Sequence, residues 1–167
     1  MELSRTHHPI QVIRPQRETD RQWLLDLWNR EWGGETMVSR GRVYRLEDVE
    51  AVIAVQGGAY VGAATFVVLD EECELLSLNS QVEGIGVGTR LLQAVEDAAK
   101  QAGVSRVTLI TSNDNLKAMR FYQRRGYRFH AVHVGAIDEA RKRKPSIPHL
   151  GLDGIPLHDE IEMRKAW

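Results

Sequence analysis

The chain has 167 residues, of which 43% are hydrophobic and 27% are charged, and its formal net charge is −1 at pH 7. This balance predicts a single globular domain over residues 1–167, and the small net charge gives no basic field to recruit nucleic acid. No apolar run reaches the roughly 18 residues of a membrane span, and no signal-peptide core is recognisable at the N-terminus. The single cysteine, Cys73, excludes an intrachain disulfide, so we expect a cytoplasmic protein that does not bind membranes.

The spacing of apolar residues predicts strands alternating with helices along the chain. In order, these are a strand over 10–13, a helix over 19–32, a loop or short helix over 35–50, a β-hairpin over 52–69, a strand over 73–78, a helix ending at Gly103, a strand over 107–110, a helix over 116–125, a strand over 127–134, an irregular segment over 138–158 and a strand over 160–163. A capping-box pattern at Thr19 and Gln22 marks the start of the first helix. Hairpins combined with crossing helices indicate an α/β (α+β) domain with a mixed sheet.

The most informative stretch is the glycine-rich turn between the strand over 73–78 and the next helix. Glycines at 84, 86 and 88 let the backbone bend and approach a ligand, and the N–H groups of the helix start attract an anion. This order predicts a pyrophosphate-binding site. The spacing fits neither an NTPase phosphate loop nor a dinucleotide-binding turn, which disfavours an oxidoreductase. A tight turn that binds no ligand is the alternative. An apolar stripe continues along the helix at Leu91, Leu92, Val95, Ala98, Ala99 and Ala102.

A second motif lies on the helix after the next strand, with Asn115, Ala118, Phe121, Tyr122, Gly126 and Tyr127. Together the two segments resemble the GNAT superfamily of acyl-CoA N-acyltransferases. The first is similar to that family's coenzyme A loop, Arg/Gln-x-x-Gly-x-Gly/Ala, and the second to its Asn-x-x-Ala-x-x-Phe-Tyr-x-x-x-Gly-Phe/Tyr signature. The loop departs from the family at Glu83, where a carboxylate replaces the usual Arg or Gln and would repel a pyrophosphate. Arg90 is a candidate for the compensating charge.

The resemblance implies a mostly antiparallel sheet of about six or seven strands with about four helices. It also implies a V-shaped gap between the fourth and fifth strands, near residues 74–79 and 107–112. Acetyl-CoA (coenzyme A) would be the co-substrate, no metal would be needed, and the acetyl group would pass to a primary amine. The residues expected to bind the coenzyme are Leu76, Ser77, Leu78, Glu83, Gly84, Ile85, Gly86, Val87, Gly88, Thr89, Arg90, Asn113 and Asn115. A non-catalytic acyl-CoA-binding module is the alternative function.

Two side chains are expected to carry the chemistry. An amine must be neutral to attack, and a lysine-type amine has a pKa of about 10.4, so a general base is needed for such an acceptor. Glu74 is the candidate base, acting through a water, and its alternative is a solvated strand carboxylate. Glu71 and Glu72 are weaker candidates because they resemble turn residues. The resemblance makes Tyr122 the general acid that protonates the departing thiolate; its alternative is a packed aromatic.

The sequence says least about the acceptor, which is a small-molecule amine or a protein amino group. Trp32 and Arg40 are the candidate substrate-binding residues, although core packing of tryptophans and solvation of loop arginines are common. The basic run over 141–144 is too short to argue for nucleic-acid binding. No metal site is expected: His7 and His8 form a polar terminal pair that is expected to be solvated, and the spacing of His149, His158 and Asp159 matches no ligand pattern. We expect a monomer or a homodimer.

Overall fold

The computed structural model describes residues 8–167; His7 and the residues before it lie outside this part of the chain. The elements are β1 (Ile10–Ile13), α1 (Glu18–Trp32), β2 (Thr36–Ser39), β3 (Arg42–Arg45), β4 (Glu50–Gln56), β5 (Ala59–Val68), β6 (Cys73–Ser80), α2 (Val87–Gln101), β7 (Arg106–Ser112), α3 (Leu116–Gln123), β8 (Arg128–His133), α4 (Ala136–Arg143) and β9 (Glu160–Ala166). Seven strands form one sheet in the order β1-β4-β5-β6-β7-β9-β8, and β2 pairs with β3 separately. Four helices and a mostly antiparallel sheet confirm the predicted fold class.

The residues group into two compact units. The first comprises the described part of Met1–Val68 together with Leu75–Gly103, and the second comprises Leu69–Glu74 with Val104–Trp167. The single domain over 1–167 stays a prediction. No helix among residues 8–167 is both long enough and apolar enough to cross a membrane.

In the first unit, β4 pairs antiparallel with both β1 and β5. The predicted hairpin is present, with a turn at Gly57 and Gly58, whose φ values are 57° and 80°. Two consecutive residues with positive φ match the twist of the flanking strands, which is why glycine suits both positions. Helix α1 packs its apolar face on these strands, and the shared core contains Leu24, Leu27, Ala51, Ile53 and Ala63.

Helix α1 begins one residue before the predicted start, and the predicted capping residues are wrong. The N-cap is Arg17, and the third helical residue, Asp20, supplies the capping carboxylate in place of Gln22. The Asp20 carboxylate accepts hydrogen bonds from the backbone N–H groups of Gln16 (3.1 Å) and Arg17 (3.0 Å). A charged acceptor at the positive end of the helix outcompetes the Thr19 hydroxyl. The helix ends at Gly33 as predicted, with φ of 72°.

Residues 35–50 contain a second hairpin, which corrects the predicted loop or short helix. Strands β2 and β3 pair antiparallel across a turn at Arg40 and Gly41, with φ values of 52° and 78°. The strands have only four residues each, and arginine is an unusual residue at positive φ. The hairpin therefore lacks the Asn-Gly or Asp-Gly signal that marks such turns in a sequence. Met37 and Tyr44, which are paired across the hairpin, are its buried side chains.

In the second unit, β9 pairs antiparallel with β7 on one side and with β8 on the other. The predicted irregular segment over 138–158 is wrong in its first part, because Ala136–Arg143 is helix α4. Acidic residues occupy its first turn and basic residues its last, which matches the helix dipole. The Arg141 guanidinium donates hydrogen bonds to the carbonyls of Ile147, Pro148 and Leu157. The Arg141 side chain therefore bonds to both ends of the irregular segment that follows α4.

Candidate active site

The glycine-rich loop, residues 81–86, joins β6 to the N-terminus of α2 and is exposed throughout. Gly84 and Gly86 have φ values of 79° and 87°, which residues with a Cβ rarely adopt. Gly86 is the N-cap of α2, so no side chain caps the helix, and its first turn contains no acidic residue. Backbone N–H groups at the positive end of a 15-residue helix are therefore left for an anion. This geometry suits a pyrophosphate.

A strand glycine that the sequence reasoning missed supports this loop. A Cβ on Gly62 of β5 would lie 2.7 Å from Val87 Cγ1, 3.1 Å from Leu91 Cδ1 and 2.6 Å from the carbonyl oxygen of Asn79. Gly62 thus lets the first turn of α2 pack directly on the strand. An isolated glycine within a strand is the available sequence signal for such a close approach. The predicted stripe on α2 is buried at Leu91, Leu92, Val95 and Ala99, whereas Ala98 is half-buried and Ala102 lies exposed beyond the helix.

The predicted coenzyme-binding residues of the first unit differ in how far their side chains are exposed. Val87 and Ser77 are buried, and the Ser77 hydroxyl shares a hydrogen bond with the Thr65 hydroxyl, so these two positions offer a ligand backbone groups only. Leu76 and Leu78 are half-buried. Gly88 is half-buried in the first turn of α2. The exposed members of the set are Glu83, Gly84, Ile85, Gly86, Thr89 and Arg90.

In the second unit, Tyr122 lies buried on α3 against Phe121 and Tyr127, with ring centroids 5.1 Å and 5.6 Å away. Burial raises the pKa of the Tyr122 hydroxyl well above its usual range. The hydroxyl is therefore protonated at neutral pH, as a proton donor must be. Asn115 caps α3, because its Oδ1 accepts a hydrogen bond from the N–H of Ala118 at 3.1 Å. Its role in binding the coenzyme stays a prediction.

Two glutamates near the start of β6, Glu72 and Glu74, are buried. Glu74 is only 2% exposed, so its carboxylate is not a solvated strand residue. Glu72 is also buried, and its Oε2 accepts hydrogen bonds from Thr108 Oγ1 at 2.8 Å and Arg106 Nε at 3.1 Å. Glu72, which directly precedes β6, is thus bonded to β7, whereas Glu71 beside it is exposed. The role of Glu74 as the general base stays a prediction.

The side chain of Asn113 is engaged within the second unit. Its Oδ1 accepts hydrogen bonds from the N–H groups of His158 and Asp159, both at 3.0 Å, and its Nδ2 donates to the carbonyl of Pro156 at 2.9 Å. One Nδ2 hydrogen remains for any contact with a coenzyme. The main observed role of Asn113 is to hold the end of the irregular segment beside β7.

The candidate substrate residues lie in the first unit. Trp32, at the end of α1, is 37% exposed, and Arg40 lies exposed at the β2–β3 turn. Trp28 is fully buried and belongs to the core. Within residues 8–167, no three His, Cys, Asp or Glu side chains are arranged to hold a metal ion. His158 instead pairs with Asp159, with Nδ1 and Oδ2 2.7 Å apart.

The sequence reasoning also missed a row of charged residues on β9. Glu160, Glu162 and Arg164 alternate with apolar residues, and Glu162 is only 3% exposed. Alternation in a predicted strand was the available signal, since residues two apart share one face. The partners that bury these charges come from strands distant in sequence.

Comparisons with known proteins agree with this architecture. A sequence model of the acetyltransferase (GNAT) family matches residues 16–127. The uncharacterised protein YdhI of Bacillus subtilis (strain 168) is 39% identical over 158 residues, which are 94% of this chain and 99% of that protein. The chain therefore belongs to the acetyltransferase (GNAT) family, and it is an acyltransferase.

Solved structures show the same fold at low sequence identity. A Bacillus subtilis acetyltransferase in complex with CoA has a TM-score of 0.72 and 15% identity, with 95% of this chain and 99% of that chain covered. A GNAT family acetyltransferase from Elizabethkingia anophelis with acetyl-CoA bound has a TM-score of 0.70 and 17% identity, with 95% and 98% covered. These likenesses confirm the predicted GNAT fold.

Proposed function

We propose that this protein is an acetyl-CoA-dependent N-acetyltransferase whose acceptor is a primary amine of a small molecule or of a protein. The observation that carries the proposal is the exposed loop at the N-terminus of α2, where Gly84 and Gly86 adopt positive φ. Family membership supports the reaction class. Acetyl-CoA as the co-substrate is supported by the CoA and acetyl-CoA bound to proteins of the same fold.

The pyrophosphate of the coenzyme binds the backbone N–H groups of the loop and of the first turn of α2. The exposed side chains of Thr89 and Arg90 provide a hydroxyl and a positive charge beside these groups. Glu83 contributes its backbone, and its exposed carboxylate offsets part of the attraction. Backbone groups of Leu76, Ser77 and Leu78 bind the pantetheine arm in the manner of an added strand.

In the transfer step, the neutral amine nitrogen attacks the acetyl carbonyl carbon, and the carbon–sulfur bond then breaks. Glu74, through a water, takes a proton from the nitrogen, and Tyr122 donates its proton to the departing thiolate. The buried carboxylate and the protonated phenol are suited to these opposite roles. The acceptor amine approaches Trp32 and Arg40, and the protein acts in the cytoplasm as a monomer or homodimer.

The first experiment is thermal unfolding of the full chain with acetyl-CoA and, in parallel, with NAD. A ligand at 100 times its dissociation constant stabilises the folded state by about 2.7 kcal/mol. For a chain of this size, the expected rise in melting temperature is about 5–11 °C with acetyl-CoA. A rise with NAD alone, or with neither ligand, would contradict the proposed co-substrate.

The second experiment separates an enzyme from an acyl-CoA-binding module. A panel of small amines and peptides with free amino groups is incubated with acetyl-CoA, and thiol release is measured. An N-acetyltransferase releases thiol in proportion to acetylated amine. Coenzyme binding without thiol release for any member of the panel would favour the non-catalytic module.

A further inference from the structure

A cavity of about 650 Å³ lies in the first unit, at the base of the β2–β3 hairpin. Its walls come from α1, from the ends of the two hairpin strands and from the start of β4. Helix α1 and the hairpin also carry Trp32 and Arg40, the two residues that the acceptor amine is proposed to approach. None of the predicted coenzyme-binding residues lines this cavity. Its volume is that of a small-molecule site.

The cavity is surrounded by charges of both signs. They belong to Arg21 of α1, Glu35 just before β2, Arg45 of β3 and Glu47 shortly after it, and all four residues are exposed. Arg45 Nη1 and Glu47 Oε1 lie 3.6 Å apart, and such an exposed pair is weak enough for a ligand to compete with it. The side chains of Arg21 and Glu35 make no ion pair or hydrogen bond with any residue from 8 to 167. Both charges are therefore available to a ligand.

The lining between these charges is apolar. Leu24 and Ala51 are buried there, and Leu25, Leu46 and Val49 are half-buried. An apolar wall favours a ligand with a hydrocarbon chain. A ligand with a single charge would be attracted by one pair of side chains and repelled by the other, whereas a zwitterion matches both. The cavity thus has the chemistry to bind an amino acid.

A row of three residues connects the cavity to the strand that is proposed to bind the pantetheine arm. Ala51 is paired in register with Thr65 of β5, whose hydroxyl shares a hydrogen bond with the hydroxyl of Ser77 on β6. Residues opposite one another on neighbouring strands project to the same face of the sheet. Neighbouring strands lie about 4.8 Å apart, so the row from Ala51 to Ser77 is about 10 Å long.

This distance limits which amine can react. An amino acid whose α-ammonium and α-carboxylate groups are both held in the cavity can reach β6 only with a nitrogen at the end of a long side chain. Lysine and its shorter homologue ornithine carry such a nitrogen. A lysine-type amine has a pKa of about 10.4, so it also requires the general base that the proposed mechanism contains.

We propose that the acceptor is a free diamino acid of the lysine or ornithine type. Glu35 and Glu47 bind its α-ammonium, and the side-chain amine is acetylated. Arg21 and Arg45 bind its α-carboxylate. The side-chain nitrogen forms a bond to the acetyl carbon, and the carbon–sulfur bond breaks with its electron pair on sulfur. The thiolate takes up one proton, and the second proton of an arriving ammonium goes to solvent. This inference rests on the proposed N-acetyltransferase function and names its substrate class.

A panel of related amines tests the proposal, with thiol release measured at saturating acetyl-CoA. It contains L-lysine, L-ornithine, 6-aminohexanoate, which lacks the α-ammonium, cadaverine, which lacks the carboxylate, and Nα-acetyl-lysine amide, in which both α-groups are capped. Lysine or ornithine should have a kcat/KM at least about tenfold above each of the other three. Mass spectrometry should locate the acetyl group on the side-chain nitrogen. Equal transfer to the capped lysine, or acetylation of the α-nitrogen, would overturn the proposal.

Two variants assign the charges of the cavity to the two groups of the ligand. Arg21→Gln should raise the KM for lysine at least about tenfold but not the KM for cadaverine, which has no carboxylate. Glu35→Gln should raise the KM for lysine but not that for 6-aminohexanoate. The matched controls are Arg30→Gln and Glu31→Gln, which remove exposed charges of α1 outside the cavity and should leave every KM unchanged. The KM for acetyl-CoA should stay within about twofold of wild type in all four variants.

Binding of norleucine separates this inference from the proposed function, because norleucine has both α-groups but no side-chain amine to acetylate. Isothermal titration calorimetry should show that it binds the wild-type chain and binds Arg21→Gln and Glu35→Gln at least about tenfold more weakly. If norleucine does not bind while other amines are acetylated, the diamino acid is overturned and acetyl transfer stands. If norleucine binds but no amine is acetylated, the proposed function fails, and with it the role of lysine as acceptor.

Discussion

Gly62 on β5 lies so close to Val87 at the start of α2 that a residue with a Cβ does not fit between the strand and this helix. A Cβ at position 62 would approach the Asn79 carbonyl oxygen to 2.6 Å as well as the Val87 side chain to 2.7 Å. The backbone oxygen cannot move without disturbing β6. Gly62 thus sets how close the N-terminus of α2, which is the proposed anion-binding end, lies to β5.

Replacing Gly62 with alanine should displace the first turn of α2. We expect a loss of about 1–3 kcal/mol in the free energy of unfolding from overpacking, and weaker binding of acetyl-CoA. Urea denaturation and isothermal titration calorimetry measure the two effects. Gly34→Ala is the control, since no atom lies within 4 Å of the added Cβ and its φ is not positive. Equal results for the two variants would show that the contact is unimportant.

Gly86→Ala tests the backbone conformation of the loop, because the added Cβ meets no atom within 4 Å. The φ of 87° should cost about 1–2 kcal/mol for an L-residue and should shift the helix start away from its ligand. Gly103→Ala, with φ of 80° beyond the other end of α2, is the matched control. Both variants should lose stability, but only Gly86→Ala should lose affinity for acetyl-CoA. If the two variants bind acetyl-CoA with equal affinity, the loop is not part of the coenzyme-binding site.

Tyr122→Phe removes the proposed acid and keeps the aromatic packing. We expect kcat to fall about tenfold to hundredfold with the affinity for CoA unchanged. Unaltered turnover would exclude Tyr122 as the proton donor. The phenylalanine ring keeps the contacts with Phe121 and Tyr127, so the fold should persist.

The raised pKa of Tyr122 has a separate consequence for stability. In the unfolded chain this phenol ionises near pH 10, whereas burial keeps it protonated to higher pH in the folded chain. Its contribution to stability is therefore full below about pH 10 and is lost as the pH rises through the folded-state value. Tyr122→Phe should flatten the alkaline decline in the free energy of unfolding, measured by urea denaturation between pH 8 and 11. If the free energy of unfolding of the variant declines as steeply as that of wild type, the ionisation of Tyr122 is not the cause of the decline.

Asp20→Asn should weaken the start of α1 in a pH-dependent way. Hydrogen bonds from the Tyr60 hydroxyl and from Arg17 hold the pKa of Asp20 well below its usual range. A lowered folded-state pKa contributes stability above the unfolded value of about 3.9, and this contribution is lost as the pH falls further. The melting temperatures of wild type and variant should therefore differ at pH 7 and converge towards pH 2. Asp26→Asn, on the exposed side of the same helix, should show no such convergence.

Local features of the sequence were sufficient for the family and for the loop. Glycine at positive φ, the cap at Asn115 and the signature ending at Tyr127 depend on residues close together in the chain. The same locality explains the correct hairpin at Gly57 and Gly58, whose turn type follows from two residues alone. A pattern in the sequence can predict interactions between residues that are close together in the chain.

The features that the sequence analysis missed involve side chains whose partners lie far away in the sequence. Asp20 displaced the expected cap because its carboxylate also meets Tyr60, forty positions away. The basic run over 141–144 did not indicate that Arg141 donates hydrogen bonds to carbonyls up to sixteen residues further along the chain. The burial of Glu72 depends on Arg106 and Thr108 of another strand. In each case, the charged side chain meets its partner only once the chain has folded.

By itself, therefore, the sequence determined the α/β class, the glycine loop, the position of Tyr122 and the family, because each depends on local backbone preference or on a contiguous motif. The tertiary structure alone decided that Glu160 is paired in register with Ser112 on one side and with His133 on the other. That arrangement depends on the register of β9 between β7 and β8, strands separated by long segments of chain. Register is a property of the assembled sheet, so no local pattern in the sequence can show which of these residues lie beside one another.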